Sequence, residues 1–473
     1  MQQLALYEHR TAAILSIGDE LTLGQSQDTN ARWLASRLMA VGIVPVEIDT
    51  VPDDLRRHTA VLRRLATEVD LIISTGGLGP TADDLTRAAL ADAMGDALVE
   101  DPIALAQVES FYAARGRGMP ALNAVQAQRP SRGACLSNLH GTAPGLHARI
   151  ARGGGGGAGG GGGAGAEAGL CDVFCLPGPP KEMGPMFESH VLPRLRPRAG
   201  WSVRSRFLHC FGIGESDLAQ RLGGLMDRGR NPLVGTTASG GVVTCRLRFE
   251  GAATPDEAEA ALDVVEKQVR GVAAAHIFAA GDEKLPGAVV SALKGRAGAR
   301  AETFGAVESC TAGLLSGMIG DVPGCSGVFL GSLVTYANEA KVALAGVDPA
   351  LLGPGGPGAV SAETALAMAR GGLARLGVDH CLAITGIAGP DGGTAEKPVG
   401  TVFIARVSRS TLDAPERREE VRRFLIASDR GTVRDWSAKS ALMILWQHLK
   451  GIRGEEGGKV RLLREVALSG PMK

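Results

Sequence analysis

The sequence is poor in aromatic residues and has no excess of either charge. Aromatic side chains make up 4% of the 473 residues, and 50 basic residues balance 50 acidic ones. A chain without net charge lacks the basic surface that binds polyanions, so we do not expect nucleic acid as a partner. Apolar runs long enough to cross a membrane, about eighteen residues, are also missing, so no membrane association is expected.

Cysteines are few and form no metal or redox pattern. The eight cysteines include no C-x-x-C pair and have no histidine at the spacing of zinc ligands. This predicts reduced thiols. The first ten residues lack the basic start and the apolar stretch of a secretory signal, so we expect a cytoplasmic protein.

Glycine is abundant instead, and much of the excess lies in one tract. The chain has 67 glycines, and residues 153–165 consist of glycine and alanine only. Such a tract has no side chains that could pack, which predicts a flexible insertion. Because β-like stretches flank it at residues 146–150 and 170–176, we predict a hairpin with a lengthened tip.

Strand-like and helical stretches alternate along the chain, which is too long for one ordinary domain. From residue 12 onward, β-like runs alternate with amphipathic helices, the pattern of a doubly wound α/β domain. Asp53 or Asp54 is placed to cap one of these helices, a structural role. The predicted domains are a doubly wound domain at 10–192, a small α/β connecting domain at 200–280, an α/β domain at 286–450 and a flexible tail at 451–473.

A glycine-rich loop follows the strand-like run at residues 71–74. Residues 75–84 have the sequence TGGLGPTADD, and doubly wound sheets bind ligands at the carboxyl ends of their strands. Glycines let backbone N–H groups approach a phosphate closely, and a helix from near Asp84 would direct its positive end toward it. Carboxylates after the first strand, including Glu20, suggest a pyrophosphate held with a divalent metal. The alternative is a plain turn in which Asp83 and Asp84 cap the helix.

Four motifs in this region resemble the molybdopterin-binding-type amino-terminal domain of the CinA family. They are SIGDE at 16–20, GGLGPTADD at 76–84, GTAPG at 141–145 and LPGPPKEM at 176–183. The resemblance covers roughly residues 10–190 and implies hydrolysis of the pyrophosphate of ADP-ribose with a divalent cation, which would be cobalt, manganese or magnesium. The implied metal ligands are Asp83, Asp84 and Glu20, and the implied nucleotide- or phosphate-binding residues are Gly76, Gly77, Gly79, Thr81, Asn30 and Gly145. The glycine tract departs from the family pattern, as does Val125, which replaces a basic residue.

A second set of candidate residues begins with ESCTAG at residues 308–313, before a helical apolar pattern. Ser309 or Thr311 could serve only as the cap of that helix. The sequence YANEAK follows at residues 336–341, with Asn338 placed to cap another helix. Lys341 would then lie in a first helical turn, where the helix dipole and burial both disfavour an ammonium and lower its pKa. A lysine that can be neutral is what a serine–lysine nucleophile pair requires.

Three further elements extend this set. Tyr336 is either a core tyrosine or a group whose phenol relays a proton or orients the nucleophile. The loop after the strand-like run that ends near Thr385 is rich in glycine and can admit a ribose phosphate. Arg430 and Arg434 are four residues apart, so they either bind a phosphate or carboxylate together or are exposed arginines on a helix.

Five ordered motifs over residues 286–450 resemble the carboxyl-terminal domain of the CinA family and the nicotinamide mononucleotide deamidases. They are SCTAG at 309–313, YANEAK at 336–341, TGIAGPDGG at 385–393, KPVGT at 397–401 and DR at 429–430. The resemblance implies conversion of nicotinamide mononucleotide to nicotinic acid mononucleotide and ammonia, without a cofactor, by Ser309, Tyr336 and Lys341. In this scheme neutral Lys341 takes the Ser309 proton while backbone N–H groups stabilise the oxyanion. Two residues depart from the family, Ala312 at a usual glycine and Pro357 at a common histidine. The substrate-binding residues are predicted to be Thr311, Gly313, Thr385, Gly386, Arg430 and Arg434.

The sequence thus favours a bifunctional enzyme of pyridine-nucleotide salvage with small-molecule nucleotides as its partners. The alternative is a protein without turnover that binds a pterin or nucleotide and regulates competence or the response to DNA damage. Family resemblance also implies a homodimer.

Overall fold

The protein divides into two compact units. A computed structural model describes residues 8–152, 169–295, 300–409, 419–453 and 460–468. The first unit comprises residues up to 205 together with 249–260, and the second comprises residues 206–248 together with those from 261 onward. The glycine tract predicted to be flexible lies outside the described residues.

The first unit is built on a six-stranded sheet with the order β2-β1-β3-β8-β7-β6. Strands β2, β1, β3 and β8 are parallel, whereas β7 and β6 run antiparallel to their neighbours. Apolar cores lie against the sheet, one of them containing Leu62 and Leu65 and another Leu34 and Phe187. This is the doubly wound α/β domain that the sequence predicts. The strands are β1 Thr11–Ile17, β2 Val44–Val51, β3 Leu71–Thr75, β4 Leu98–Glu100, β5 Gln128–Pro130, β6 Ala134–Leu136, β7 Gly145–Ala151 and β8 Leu170–Leu176.

The helices of this unit follow the predicted alternation. Helix α3 begins where Asp54 accepts a hydrogen bond from the backbone N–H of Arg57 at 2.8 Å, so Asp54 and not Asp53 is its cap. The predicted hairpin is also confirmed, since β7 and β8 pair in register from Leu146–Cys175 to Ala151–Leu170. The helices are α1 Asp19–Thr22, α2 Asn30–Ala40, α3 Leu55–Glu68, α4 Thr86–Met94, α5 Pro102–Ala113 and α6 Pro180–Met186.

A four-stranded sheet with the order β10-β11-β9-β12 forms the middle part of the chain. The sequence predicts strands at residues 205–211 and 242–249 and helices near 216–226 and 255–272. The structure has all four at or near these positions, and β10 and the short β12 are additional. Strand β10 pairs antiparallel with β11 along its whole length. The elements are β9 Trp201–Phe211, α7 Glu215–Leu222, β10 Leu233–Ser239, β11 Val242–Ala252, α8 Pro255–Ala273 and β12 Ile277–Ala280.

The remainder of the second unit contains a six-stranded sheet with the order β14-β13-β15-β16-β17-β18. Strands β14, β13 and β15 are parallel, and the others are antiparallel. Helix α14 and helix α13 contribute to separate apolar cores of this sheet. The strands are β13 Phe304–Glu308, β14 Phe329–Val334, β15 His380–Gly386, β16 Thr401–Ser408, β17 Glu419–Leu425 and β18 Glu465–Val466. The helices are α9 Leu285–Lys294, α10 Leu314–Gly320, α11 Asn338–Ala345, α12 Pro349–Leu352, α13 Ala362–Leu376 and α14 Arg430–Leu449.

The prediction of a flexible tail is wrong for residues 460–468. Strand β18 pairs with β17, and Leu462 is only 1% exposed within the apolar core that contains α14. The charged and glycine-rich composition hid the apolar pair Leu462 and Leu463, which makes this segment part of the fold. None of the helices in the described ranges combines the length and the hydropathy that crossing a membrane requires.

Candidate active site

The loop after β13 places Ser309 at the carboxyl edge of the second unit's sheet. Ser309 is 7% exposed, and its N–H donates to the carbonyl of Ile384 on the neighbouring strand at 3.0 Å. Its hydroxyl makes no hydrogen bond to any residue that the structure describes. Neither Ser309 nor Thr311 caps α10, because Gly313 occupies the cap position and uses no side chain. A capping role therefore does not explain either hydroxyl.

Glu308 takes the capping role that the sequence analysis offered to Ser309. Its carboxylate is fully buried and accepts from the N–H groups of Leu315 at 3.1 Å and Ser316 at 2.9 Å, and from the Ser316 hydroxyl. The positive end of α10 thereby compensates a buried charge. Glu308 fixes the turn that carries Ser309. This role was not predicted because the last residue of a strand is not a standard helix-cap position.

The turn between Glu308 and α10 leaves backbone donors unused. Within the described chain, the N–H groups of Thr311 and Gly313 have no acceptor, whereas Ala312 donates to the Ser309 carbonyl at 3.0 Å. Ala312 has a φ of 49°, in the left-handed region where a side chain costs energy. A glycine would adopt this conformation without strain, which explains why glycine is usual here. Free N–H groups beside a nucleophile can stabilise an oxyanion.

Lys341 lies in the first turns of α11 and is 2% exposed. Its Nζ donates to the carbonyl oxygens of Thr335 and Tyr336, both at 3.0 Å. No carboxylate among the described residues pairs with it. Burial lowers the pKa of this amine, while the nearby Cys310 and Glu339 act in the opposite direction. The predicted depression of the Lys341 pKa is thus supported, with burial as its main cause.

Backbone hydrogen bonds bring the Ser309 and Lys341 segments together. Thr335 donates its N–H to the carbonyl of Glu308 at 2.8 Å, and its own carbonyl accepts from Lys341 Nζ. Ser309 directly follows Glu308 in the chain. The segment with Ser309 and the segment with Lys341 are therefore joined by the hydrogen bond between Thr335 and Glu308. The prediction that Asn338 caps α11 is wrong, because Ala337 holds the cap position and Asn338 is exposed.

Tyr336 and Arg430 meet at the surface beside this loop. Tyr336 is 55% exposed, so it is not a core tyrosine. Its phenol oxygen accepts from Arg430 Nη2 at 2.9 Å, and Arg430 Nη1 donates to the carbonyl of Gly389 at 2.7 Å. In this structure Tyr336 contacts Lys341 through its carbonyl and not through its phenol. The phenol therefore positions Arg430, and no contact supports the predicted proton relay.

Arg434 approaches the nucleophile loop directly. Its Nη2 donates to the carbonyl of Thr311 at 2.8 Å, while its Nε is buried without a partner. The explanation of Arg430 and Arg434 as merely exposed helix arginines does not account for these contacts. The buried hydroxyls of Thr311, Thr335 and Thr401 also lack hydrogen-bond partners within the described residues.

Thr385 and Gly386, which were also predicted to bind substrate, have roles in holding the fold together. Thr385 is 1% exposed and its hydroxyl donates to the carbonyl of Ala359 at 2.7 Å. A side chain on Gly386 would lie 2.8 Å from the Thr401 carbonyl, so this glycine permits close strand packing. Pro357, at a common histidine position, accepts from Lys397 Nζ through its carbonyl at 2.7 Å.

In the first unit, the glycine-rich loop after β3 is held mainly by its own side chains. Asp84 accepts from the N–H groups of Gly79 at 2.7 Å and Thr81 at 2.8 Å, and Gly76 donates its N–H to Leu176. Of the three glycines in this loop, Gly77 keeps an N–H without an acceptor in the described chain. Gly76 is obligatory for another reason, because a Cβ there would lie 2.4 Å from the carbonyl oxygen of Ile17.

A buried arginine stabilises this loop by hydrogen bonds to its carbonyl groups, a role that was not predicted. Arg87 is 3% exposed and donates to the carbonyls of Leu78 at 2.8 Å and Gly79 at 2.5 Å. Burial lowers its pKa. Because Arg87 lies inside an apolar helix pattern, composition gave no reason to assign it to the loop.

The three predicted metal ligands do not form a cluster. No group of three or more His, Cys, Asp or Glu side chains in the described ranges is arranged to hold a metal ion. The Asp84 carboxylate accepts hydrogen bonds from its own loop. Asp53, which was assigned a structural role, is paired with Asp19 instead: the backbone N–H of each donates to the carboxylate of the other. Burial raises the pKa of Asp53, and the charges of Asp19, Asp83 and Glu20 raise it further. Asp53, and not the predicted Asp84, is therefore the carboxylate on which the charges of Asp83 and Glu20 act.

Two other predicted residues of this site have different outcomes. Asn30 Nδ2 donates to the carbonyl of Gly178 at 2.7 Å and its Oδ1 is buried without a partner. Gly145 is buried in β7, where an added Cβ would lie 2.8 Å from the Cys175 carbonyl. Gly145 is a packing residue, and the prediction that it contacts a phosphate has no support from its position.

An α/β protein with one site at the carboxyl edge of each large sheet is the class that these observations define. Three family descriptions match it, a probable molybdopterin binding domain at residues 13–197, the damage-inducible protein CinA KH domain at 205–279 and the CinA C-terminal domain at 283–449. The chain belongs to the CinA family.

Relatives match over nearly the whole chain. A protein of Symbiobacterium thermophilum, named for competence-damage induction, is 40% identical over 93% of this chain and 99% of its own. A CinA-like protein of Salinibacter ruber is 38% identical over 91% of this chain and 97% of its own. The crystal structure of a CinA protein of Thermoplasma acidophilum is 30% identical, covers 39% of this chain and 98% of its own, and gives a TM-score of 0.33.

Proposed function

We propose that the second unit hydrolyses the carboxamide of nicotinamide mononucleotide to nicotinic acid mononucleotide and ammonia. The observation that carries this proposal is Lys341, a buried amine whose pKa burial lowers and which meets backbone carbonyls instead of a carboxylate. A neutral amine has two N–H bonds and one lone pair. Since Thr335 and Tyr336 accept the two N–H bonds, the lone pair remains available as a general base.

Ser309 is the proposed nucleophile. Its hydroxyl has no hydrogen-bond partner in the described structure and lies next to the segment that holds Lys341. Oγ attacks the carboxamide carbon while its proton passes to Lys341 Nζ. The unused N–H groups of Thr311 and Gly313 are the donors available to the oxyanion. The protonated lysine then gives the proton to the leaving ammonia, and water hydrolyses the acyl-enzyme.

Arg430 and Arg434 are proposed to bind the phosphate of the nucleotide. Both guanidiniums are held near the loop by carbonyls, and Arg434 keeps a buried Nε without a partner. A planar guanidinium matches the geometry of a phosphate. A phosphate bound by these two guanidiniums would hold the reacting carbon of the same nucleotide near Ser309.

The test is ammonia release from nicotinamide mononucleotide, together with chromatographic detection of the acid product. Ser309→Ala and Lys341→Met should each lower the rate by about a thousandfold or more, since a nucleophile and its base act as a unit. Exposed matched controls in the same unit, Ser216→Ala and Lys267→Met, should retain the rate. Wild-type rates in either test variant, with folding retained, would refute the mechanism.

The first unit has a second candidate function, metal-dependent cleavage of the pyrophosphate of ADP-ribose. The supporting observation is that Asp19 and Asp53 each accept the backbone N–H of the other, and that burial, with the charges of Asp19, Asp83 and Glu20, raises the pKa of Asp53. A divalent ion often binds one or two carboxylates together with substrate phosphates, so a complete protein cluster is not required. Asp53 and Asp83 would hold the cation, which would supply charge neutralisation of the pyrophosphate.

This second function is tested by ADP-ribose cleavage with cobalt, manganese or magnesium and without added metal. Asp83→Asn should remove metal-dependent cleavage and leave deamidation unchanged, whereas Asp256→Asn, an exposed aspartate in α8, should change neither activity. Binding of ADP-ribose without any product in the wild type would instead support a nucleotide-binding protein.

A further inference from the structure

The second unit has an open pocket that the proposed reaction does not use. Its volume is about 300 Å³, and its wall is formed by residues around α7, by His276 before β12 and by residues 461–465 before and within β18. None of these residues belongs to the Ser309 loop, to α11 or to the first turn of α14. The segment predicted as a flexible tail therefore completes the wall of a pocket.

Three arginines line this pocket, and each has donor groups without a partner among the described residues. Arg221 is exposed and forms no ion pair there. Arg461 uses Nε and Nη2 on the carbonyl of Glu465, which leaves Nη1 free. Arg464 packs its guanidinium over the Trp436 ring at 4.2 Å, and its Nη1 is buried without an acceptor. Arg221 and Arg461 therefore keep donors that an anion in the pocket can accept from.

The acidic groups of the pocket do not balance these arginines. Glu465 accepts from Arg422 Nη1 at 3.2 Å and from the N–H of Leu462 at 2.9 Å, so its charge is already compensated. Asp217, in the first turn of α7, is the other carboxylate of the wall. The pocket thus has an excess of positive charge in a chain whose formal net charge is zero.

His276 supplies a neutral group at the same place. It is 4% exposed, and its Nδ1 lies 3.2 Å from the carbonyl of Phe211, so that nitrogen carries the proton. Burial lowers the pKa of His276, the hydrogen bond to Phe211 raises it, and the charge of Arg221 lowers it. With Nδ1 as donor, Nε2 can accept a hydrogen bond from a ligand hydroxyl.

We propose that this pocket binds a small phosphate monoester, with its phosphate on Arg221, Arg461 and Arg464. Guanidinium forks suit phosphate oxygens, and the His276 acceptor suits a hydroxyl of the esterified group. The ligand would also act on α14, because Arg464 lies on Trp436, two residues after Arg434 in the same helix. The pocket is an effector site that the proposed deamidase reaction does not require.

The experiment titrates the full chain with glycerol 3-phosphate and, separately, with inorganic phosphate by calorimetry at constant ionic strength. Saturable binding of glycerol 3-phosphate is expected, and Arg221→Ala should weaken it about tenfold, the loss expected for one charge-assisted contact. Arg461→Ala is the second test variant, with circular dichroism to verify its fold. The matched control is Arg228→Ala, an exposed arginine after α7, which should bind as the wild type does.

The outcomes separate the alternatives. Tighter binding of the ester than of inorganic phosphate supports the assignment of the hydroxyl contact, and equal binding overturns the choice of a monoester. Binding that persists in both Arg221→Ala and Arg461→Ala overturns the proposal, as does the absence of saturable binding. A signal lost only in Arg430→Ala belongs to the candidate active site and overturns it as well.

Discussion

Tyr336 and Arg430 are 94 residues apart in the sequence, and a hydrogen bond of 2.9 Å joins the phenol of one to the guanidinium of the other. Tyr336→Phe removes this acceptor and keeps the ring, while Arg430→Ala removes the guanidinium. We expect both to raise the KM for nicotinamide mononucleotide more than they lower kcat. If Tyr336 acts only through Arg430, the double variant should resemble Arg430→Ala, a non-additivity that a double-mutant cycle measures. A fall in kcat for Tyr336→Phe with unchanged KM would instead restore the proton-relay role.

The Lys341 amine predicts a pH profile. Because burial lowers its pKa below the ordinary 10.5, the neutral form is available at lower pH than for an exposed lysine. The deamidation rate should rise with pH through the folded pKa and then reach a plateau. Measurement of kcat/KM against pH tests this. A rate that falls as the pH rises over the same range would contradict a neutral lysine as base.

The same residue predicts a gain in stability when it is replaced. A lysine whose pKa is lower in the folded chain binds fewer protons there than when unfolded, so its contribution to stability is greatest above 10.5 and declines as the pH falls toward the folded value. Lys341→Met should therefore raise the melting temperature at neutral pH relative to the wild type, and less so at high pH. Equal shifts at both pH values would show that packing, not charge, is responsible.

Ala312 predicts a stabilising glycine substitution. Its φ of 49° carries a left-handed penalty that glycine lacks, and the penalty exceeds the extra chain entropy that glycine has when unfolded. Ala312→Gly should stabilise the second unit by about 0.5 kcal/mol. Ala260→Gly, in the exposed face of α8, should destabilise by about 1 kcal/mol. Urea unfolding compares the two, and equal losses would exclude strain at Ala312.

Glu308 predicts a large loss of stability. Glu308→Ala leaves the N–H groups of Leu315 and Ser316 buried without acceptors, which should cost about 3 kcal/mol. Glu308→Gln keeps one carbonyl oxygen and should cost less. Thermal unfolding of both variants measures the order. If the two variants lose the same stability, the loss is due to the missing charge and not to the number of hydrogen-bond acceptors.

Asp83 and Asp84 predict opposite consequences in the first unit. Asp84→Ala frees the N–H groups of Gly79 and Thr81 and should destabilise the loop by about 2 kcal/mol. Asp83→Asn, at an exposed side chain, should leave stability unchanged. Thermal unfolding without metal distinguishes them. A comparable loss for Asp83→Asn would mean that it too is structural.

The sequence predicted the elements better than the roles of single side chains. The local pattern predicted a strand at residues 44–51 and a helix from Asp53, which the structure has as β2 and α3, because both depend only on periodicity along the chain. The interaction of Asp84 with Gly79 and Thr81 depends on the shape of a turn, and the contact of Arg434 with Thr311 spans 123 residues. No local pattern contains either. Asp53 and Asp54 show this limit. The sequence assigned helix capping to either of them, whereas Asp54 caps α3 and Asp53 accepts the N–H of Asp19.

The candidate active site was predicted where a residue was unsuited to its local structure. Lys341 is a poor choice for the first turns of a helix, and the structure buries it. Glu308 and Arg87 escaped attention because each satisfies its surroundings only after the chain has folded. The residues 460–468 escaped because two leucines among charges do not make a periodic pattern.

Strand β18 bears on how a shortened protein should be prepared. The family match ends at residue 449, and a cut at that point would remove the segment whose Leu462 is buried and whose β18 covers the edge of β17. An uncovered strand edge pairs readily with another chain, so the trimmed domain should self-associate and precipitate. Preparations meant for crystallisation should therefore extend through residue 468.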